Sequence, residues 1–249
     1  MINKLIILSD IHGNLSALKA VIDDFESKQY YPDGIVILGD NINYGMQPNE
    51  VIGCLKTLSQ KYSIVANIWG NHEKAIFDGD LSHFSTERGK QILQYTNNRL
   101  TAESKKYLID CLSPNGVQEI QISNKRVLIV HGSLSNPFWG KMTHDEMDKI
   151  VYTGYDYVIS GHSHVPNLTE KFFEDSSQVE YRNKKRIVFL NPGSVGQPRN
   201  HNPKAQYLYI CFSNECVHFN SVDYNIEYEK SLYSNDVDNF YARRLELGI

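Results

Sequence analysis

The sequence lacks most of the features that would send it to a membrane, a secretory route or nucleic acid. Its 249 residues contain no uninterrupted run of ~18 apolar residues, so nothing reads as a membrane-spanning helix. Met1-Ile2-Asn3-Lys4 leads into a short strand rather than a signal peptide, and a cytoplasmic protein is the expectation. Positive charge is not in excess: the formal net charge is −4, which leaves no basic patch for duplex nucleic acid or a membrane surface. No internal repeat or low-complexity segment is present. Cysteine is sparse, and no two of the four form C-x-x-C. Cys54 and Cys111, on apolar faces of predicted helices, read as small buried hydrophobes. If Ser213-Asn214 is a two-residue hairpin turn, Cys211 and Cys216 lie opposite each other on paired strands, with two free thiols expected in a cytoplasmic redox state.

The chain is organised around Ser9-Asp10-Ile11-His12-Gly13-Asn14, between the apolar run Leu5 to Leu8 and a helical pattern at Leu15, Leu18, Ile22 and Phe25. Strand, sharp polar turn, helix is where an α/β protein places chemistry. In extended backbone Asp10 and His12 project to one side, and a carboxylate with an imidazole suits a borderline transition metal.

A second apolar run, residues 35–39, ends at Gly39-Asp40. Pro48-Asn49-Glu50 then opens a helix with Val51, Ile52, Leu55 and Leu58 on one face. A third strand near Ser63–Ala66 leads to Gly70-Asn71-His72-Glu73. Residues 74–116 carry helical patterns around Arg88–Thr96 and Ala102–Leu112, and read as a helical insertion beside the site in one domain spanning 1–249. Val117–Ile122 and Lys125–Val130 form a hairpin that runs into His131, and Tyr157–Ser160 ends at Gly161-His162-Ser163-His164. Strands are expected at Thr169–Phe173, Val179–Arg182, Arg186–Leu190, Ala205–Phe212 and Glu215–Ser221. A closing helix follows, with Phe240, Tyr241, Leu245 and Leu247 as docking contacts.

Asp10/His12, Asp40, Asn71/His72, His131 and His162/His164 each follow an apolar β run, so they can converge on one sheet edge. The remaining histidines, His83, His144, His201 and His218, read as ordinary surface or strand residues. In order, the clusters spell D-x-H, G-D, G-N-H, H and G-H-x-H, a pattern that resembles the calcineurin-like metallophosphoesterases over residues 9–164. SDIHGN at 9–14, GDNINYG from Gly39 with PNEV after it, and NPGSVGQPRN at 191–200 are similar to that family's prokaryotic phosphodiesterase branch, so the resemblance covers nearly the whole chain.

That resemblance implies an α/β fold, a four-layer αββα sandwich of two mixed sheets. It also implies two divalent transition-metal ions, with Mn first and Fe, Zn or Ni as alternatives. Asp10, His12, Asp40 and His164 would hold one ion; Asp40, Asn71, His131 and His162 would hold the other, with Asp40 bridging. His72 would protonate the leaving oxygen, helped by an orienting carboxylate; Glu73 follows it where the branch usually has Asp. Asn71 and Arg199 are candidate substrate contacts, and Gly193–Gly196 reads as a strand-exit turn at the rim. Phe138 and Trp139 form either a base-stacking wall or, the reading favoured here, core cover. The family's protein Ser/Thr phosphatases carry arginines where this chain has Tyr44 and Ala75, which counts against a phosphoprotein phosphatase. A scaffold without catalysis would have lost ligands, and this chain has lost none. The expected activity is hydrolysis of phosphodiester or pyrophosphate bonds in small nucleotides, dinucleoside polyphosphates such as diadenosine tetraphosphate among them, by hydroxide held at the metals. The oligomeric state stays open.

Overall fold

Alternation decides how the apolar runs are used. In β1 (Lys4–Leu8), Leu5 and Ile7 join one apolar cluster, Ile6 and Leu8 another, and all four are fully buried. A strand buried on both faces has to lie between two layers. The computed structural model describes residues 2–234 and 236–249.

The first part of the chain runs β1, α1 (Leu15–Ser27), β2 (Gly34–Ile37), α2 (Pro48–Lys61) and β3 (Ile64–Asn67). Three helices follow, α3 (Asn71–Asp78), α4 (Glu87–Arg99) and α5 (Ala102–Asp110), and then the hairpin β4 (Val117–Ile122) and β5 (Lys125–Val130). After the short α6 (His144–Met147) come β6 (Tyr157–Ser160), β7 (Asn167–Glu174), β8 (Lys184–Asn191), β9 (Ala205–Cys211) and β10 (Cys216–Val222). The helices α7 (Ile226–Ser231) and α8 (Phe240–Leu247) close the chain.

One sheet has the order β10-β9-β1-β2-β3 and the other β4-β5-β6-β8-β7. Both are mixed: β1, β2 and β3 are parallel, as are β5, β6 and β8, and the remaining strands pair antiparallel. Leu5, Ile7, Val36 and Leu38 of one sheet meet Ile129, Ile159 and Leu190 of the other in a shared core. On the outer face of the first sheet, Ile6, Leu8, Ile35 and Ile37 pack under Leu18, Val21 and Phe25 of α1 and Val51 and Leu55 of α2. Each such side chain contributes about 2 kcal/mol by leaving water, so the strands at the centre are the firmest part of the molecule. Outside the second sheet the fourth layer is thin: Met147 of α6 with Tyr152 and Tyr155 at a 3₁₀ turn, over Leu128, Val158 and Phe189. Two mixed sheets between helices is the expected architecture.

Some local expectations fail. Val179–Arg182 is not a strand: Val179–Tyr181 is a 3₁₀ turn within the connection that joins β7 to β8. Asp175 takes the backbone N–H and hydroxyl of Ser177, and these local bonds outcompete a ladder. Cys111 is exposed, because α5 ends at Asp110 and leaves it past the last buried turn. Leu247 is also largely exposed, while Tyr241 and Leu245 are buried. Cys211 and Cys216 are directly opposite and both free, but four residues rather than two connect their strands. Among the described residues, no helix is long and apolar enough to cross a membrane.

Candidate active site

Parallel strands in both sheets end on one edge of the sandwich, and the polar clusters sit there because the chain turns sharply after each. Those turns are strained. Asp10, His12, Asp40, His162 and His164 have φ of 53, 48, 53, 63 and 58°, in the left-handed region that side chains with a Cβ avoid. The expectation that Asp10 and His12 share a side through extended backbone is therefore wrong in detail; left-handed turns bring them together instead. Strain of about 1–3 kcal/mol per residue persists only where the surroundings over-determine it. Here they do: Asp10 N donates to Gly39 O, His12 N to Asp40 O and Gly13 N to Asn41 O, at 2.9–3.1 Å. The 191–200 loop adds Val195 N to Ser9 O, Gly196 N to Asp10 O, and Ser194 Oγ to Asp10 O. Gly193–Gly196 does leave a strand, β8, and it is buried as a clamp on the first loop. Two glycines are required by contact: a Cβ on Gly39 would sit 2.3 Å from Gly70 N, and one on Gly70 would sit 2.1 Å from Asp40 Oδ1.

The side chains then form two groups that share Asp40: Asp10, His12, Asp40 and His164 in one, Asp40, His131 and His162 in the other. Asn71 belongs with the second, since His131 Nε2 and His162 Nδ1 lie 3.0 and 2.9 Å from its Oδ1. Each carboxylate has one oxygen occupied and one orphaned. Asp10 Oδ2 accepts from Ser9 Oγ and His162 N, and Asp40 Oδ1 from His72 N. Asp10 Oδ1 and Asp40 Oδ2 are buried without a hydrogen-bond partner. The outer nitrogens of His12, His131 and His164 face the carbonyls of Ile42, Leu38 and Gln197, which turns each Nε2 inward. Buried orphan anions facing imidazole nitrogens call for cations, and the donor set fits two borderline divalent ions.

The electrostatics agree for three of the four imidazoles, and His131 has to give up a proton to serve as a ligand. Burial alone would raise Asp10 and Asp40, but His164 holds the first and His131 the second well below the usual carboxylate range. Burial would lower His131, yet Asp40, 3.3 Å away, holds it up at about 9. Burial pushes His162 down to about 3 and lowers His12 and His164, so these rings are neutral, as ligands must be.

His72 is buried beside these groups, with Nε2 3.8 Å from Asp40 Oδ2. Asn71 and His72 open α3, so their side chains diverge by a helical step and not by strand alternation. No carboxylate orients the ring. Nδ1 meets Asn43 Nδ2 at 2.6 Å, in the orientation in which Thr96 Oγ1 donates to Asn43 Oδ1, and this leaves the ring's proton on Nε2. Burial, and then the charge of Arg199, push His72 down to about 4 against the pull of Asp40.

Glu73 serves the backbone instead. Its Oε2 accepts from Asp40 N and Gly70 N, and its Oε1 from Asn41 N, at 2.7–2.9 Å. Burial and the nearby Asp40 push this carboxyl up to about 7, against those three donors. The side chain pins the Gly39-Asp40-Asn41 turn to the start of α3. Glu73→Gln places an amide NH₂ against a backbone N–H and leaves a buried donor unpaired. A stability loss of about 1–3 kcal/mol is expected, read from the urea midpoint; an unchanged midpoint would show that the pin is dispensable.

The groups open into a cavity of about 340 Å³. Sequence reasoning missed much of its wall. Trp139 does not merely cover the core: its ring stacks on His83 at 4.6 Å, meets Phe84 edge-on at 5.5 Å and lies 6.3 Å from His162. His83, read as ordinary, is at the mouth. Arg199 does reach the cavity, joined by Arg88 of α4 and by Tyr241 and Arg244 of α8. Arg244 was legible to a degree, as a cation one turn after Phe240 on a face otherwise built for docking.

Residues 4–215 match the family described as calcineurin-like phosphoesterase superfamily domain. The chain is 30% identical over 247 residues to an uncharacterized protein of Methanocaldococcus jannaschii, covering 97% of each. It is 27% identical over 210 residues to the phosphodiesterase YfcE of Escherichia coli, covering 81% of this chain and 84% of that one. Its structure resembles the metallophosphoesterase from Sphaerobacter thermophilus, with a TM-score of 0.75, 26% identity and full coverage of both chains.

Proposed function

Because the chain belongs to the calcineurin-like phosphoesterase superfamily, we propose that it hydrolyses phosphodiester or pyrophosphate bonds of small nucleotides with two divalent transition-metal ions, Mn²⁺ being the first choice. Dinucleoside polyphosphates such as diadenosine tetraphosphate are the first substrates to try. One observation carries the reading: seven side chains from five strand ends converge as two ligand groups sharing Asp40. In this reading Asp10, His12, Asp40 and His164 hold one ion, and Asp40, Asn71, His131 and His162 the other. Bound there, the ions supply Lewis-acid charge to the phosphoryl oxygens and acidify water.

The chain's own residues do the remainder. Asp40 keeps the two ligand groups together, because its backbone is locked by Glu73 and one oxygen by His72 N. His72 presents Nε2 to the leaving oxygen; to protonate it the ring takes up a second proton, with the Asn43 amide turned so that its Oδ1 accepts from Nδ1–H. Arg199 lines the same cavity, and Trp139, Phe84 and Tyr241 wall the reacting groups from bulk water. A cavity of about 340 Å³ fits one nucleotide-sized group better than a folded phosphoprotein's surface.

The test is substrate class. With Mn²⁺ added, kcat/KM on bis-p-nitrophenyl phosphate or a dinucleoside polyphosphate is expected to exceed that on any phosphoserine peptide. A phosphopeptide preference of tenfold or more would overturn the nucleotide reading in favour of a phosphoprotein phosphatase.

A further inference from the structure

Where the family's protein phosphatases carry phosphate-gripping arginines, this chain has Tyr44 and Ala75, yet the cavity is not poor in guanidinium. Arg199 enters from the 191–200 loop, Arg244 from α8 and Arg88 from α4. The Tyr44 ring packs against His12, a ligand candidate, and His72, and Arg244 lies over the same ring. Its centroid is 4.7 Å from that of His12 and 4.6 Å from that of His72, and the Arg244 guanidinium lies 5.8 Å from it. Arg199 and Arg244 both oppose the rise that burial imposes on the Tyr44 phenol, so both charges bear on this one ring. Phe240 holds the outer pair in place, 3.9 Å from Arg88 and 5.2 Å from Arg244. The Tyr241 ring backs Tyr44 at 5.1 Å.

Among the described residues no side-chain carboxylate neutralises these arginines, although Arg244 donates to an oxygen of Ile249, the last residue of the sequence. Arg126 and Arg186 pair with glutamates elsewhere, but among the described residues no carboxylate side chain comes within 4.0 Å of Arg88, Arg199 or Arg244. Arg244 has one donor engaged, Nε on Ile249 O, and Arg199 Nε is buried without a partner. Burial, with the charge of Arg199 added to it, lowers Arg244 to about 10. Like charges gathered in a partly desolvated pocket without an anion raise the free energy of the empty protein, and an anion binding between them relieves it. In a chain of net charge −4, such a cluster also draws anions to this opening specifically.

We propose that Arg244, one ring's breadth beyond the metal ligands, and Arg199, beside His164, form with Arg88 at the mouth a second anion subsite, which holds the phosphate next to the one attacked. It selects substrates with contiguous phosphates, phosphoanhydride-bearing nucleotides, over those with one phosphorus. The inference rests on the reading that the reacting phosphorus sits at the Asp40 groups, and it adds the specificity that reading lacks.

The experiment measures competitive inhibition of bis-p-nitrophenyl phosphate hydrolysis by the Mn²⁺-loaded enzyme at fixed free Mn²⁺. AMP and ADP differ by one phosphate, as do orthophosphate and pyrophosphate. In the wild type ADP is expected to bind at least tenfold tighter than AMP. Arg244→Gln and Arg199→Gln should each bring that ratio below threefold, and Arg244→Lys should keep part of it by retaining charge without the fork. Unchanged metal content and circular dichroism check that the variants are folded. Equal wild-type affinity for AMP and ADP, or an equal loss of both in Arg244→Gln, would overturn the subsite while leaving the nucleotide reading in place. The converse result is distinct: if neither nucleotide inhibits but pyrophosphate outcompetes orthophosphate in an Arg244-dependent way, the subsite stands and the nucleotide reading falls.

Discussion

Asp40→Asn is expected to weaken binding of both metal ions and to lower activity by about 10³-fold or more. The reason is geometric. Asp40 alone belongs to both ligand groups, and its orphaned Oδ2 lies 3.3 Å from His131 Nε2 and 3.8 Å from His12 Nε2. The isosteric amide can keep the bond from His72 N but replaces an anion with a neutral group at the point where both cations need charge. Losing about 4 kcal/mol of transition-state stabilisation already accounts for a thousandfold loss. His12→Ala touches only one group and should remove one ion. Elemental analysis after saturation with Mn²⁺ checks both, with two ions per chain expected in the wild type. One ion or none in the intact wild type, or two retained in Asp40→Asn, would sink the shared-ligand arrangement. Because ligand binding stabilises only the folded state, added Mn²⁺ should also raise the wild-type Tm, and the variant's much less.

His72→Gln should keep both ions and still lose about 10²–10⁴-fold on alkyl or nucleoside esters, the range expected for a positioned proton donor. Nitrophenyl esters should suffer less, because nitrophenolate leaves without a proton. His72 is not in either ligand group, and its Nδ1 is held by Asn43, so Nε2 is the nitrogen free to meet substrate. Its side chain also packs edge-on to Tyr44 and Phe84, and glutamine keeps the bulk and a donor without the imidazole. Rates over a leaving-group series, measured alongside metal content, decide the role. Loss of an ion would make His72 a ligand, and an equal rate loss across the series would end its role as acid. Asn43→Ala offers a companion result: freeing the ring should reproduce part of the leaving-group dependence with the imidazole still present.

Metal-ligand candidates were legible early because the chemistry is local. An apolar β run ending near a carboxylate, amide or imidazole with Gly close by marks a candidate ligand, and Asp10, Asp40, Asn71, His131 and His162 all fit that pattern. Parallel β1 and β2 in one sheet and β5 and β6 in the other send those ends to one edge once the sheets stack. What surrounds the ligands was not legible. Glu73 looked like the residue that would orient His72, since the two are adjacent in sequence. In the fold Glu73 takes three backbone N–H groups and Asn43, twenty-nine residues upstream of His72, holds the ring.

The sequence by itself determined the strands and the polar residues at their ends, because apolar periodicity and residue type act over a few neighbouring residues; the four-layer sandwich followed from the family resemblance those residues carry. Tertiary structure alone decided the left-handed turns that aim Asp10, His12 and Asp40, the amide behind His72, and the arginines that reach the cavity from α4, α8 and the 191–200 loop. Those depend on which side chains meet across long stretches of chain. A guanidinium on a surface pattern and one held over Tyr44 are the same letter until packing chooses its partner.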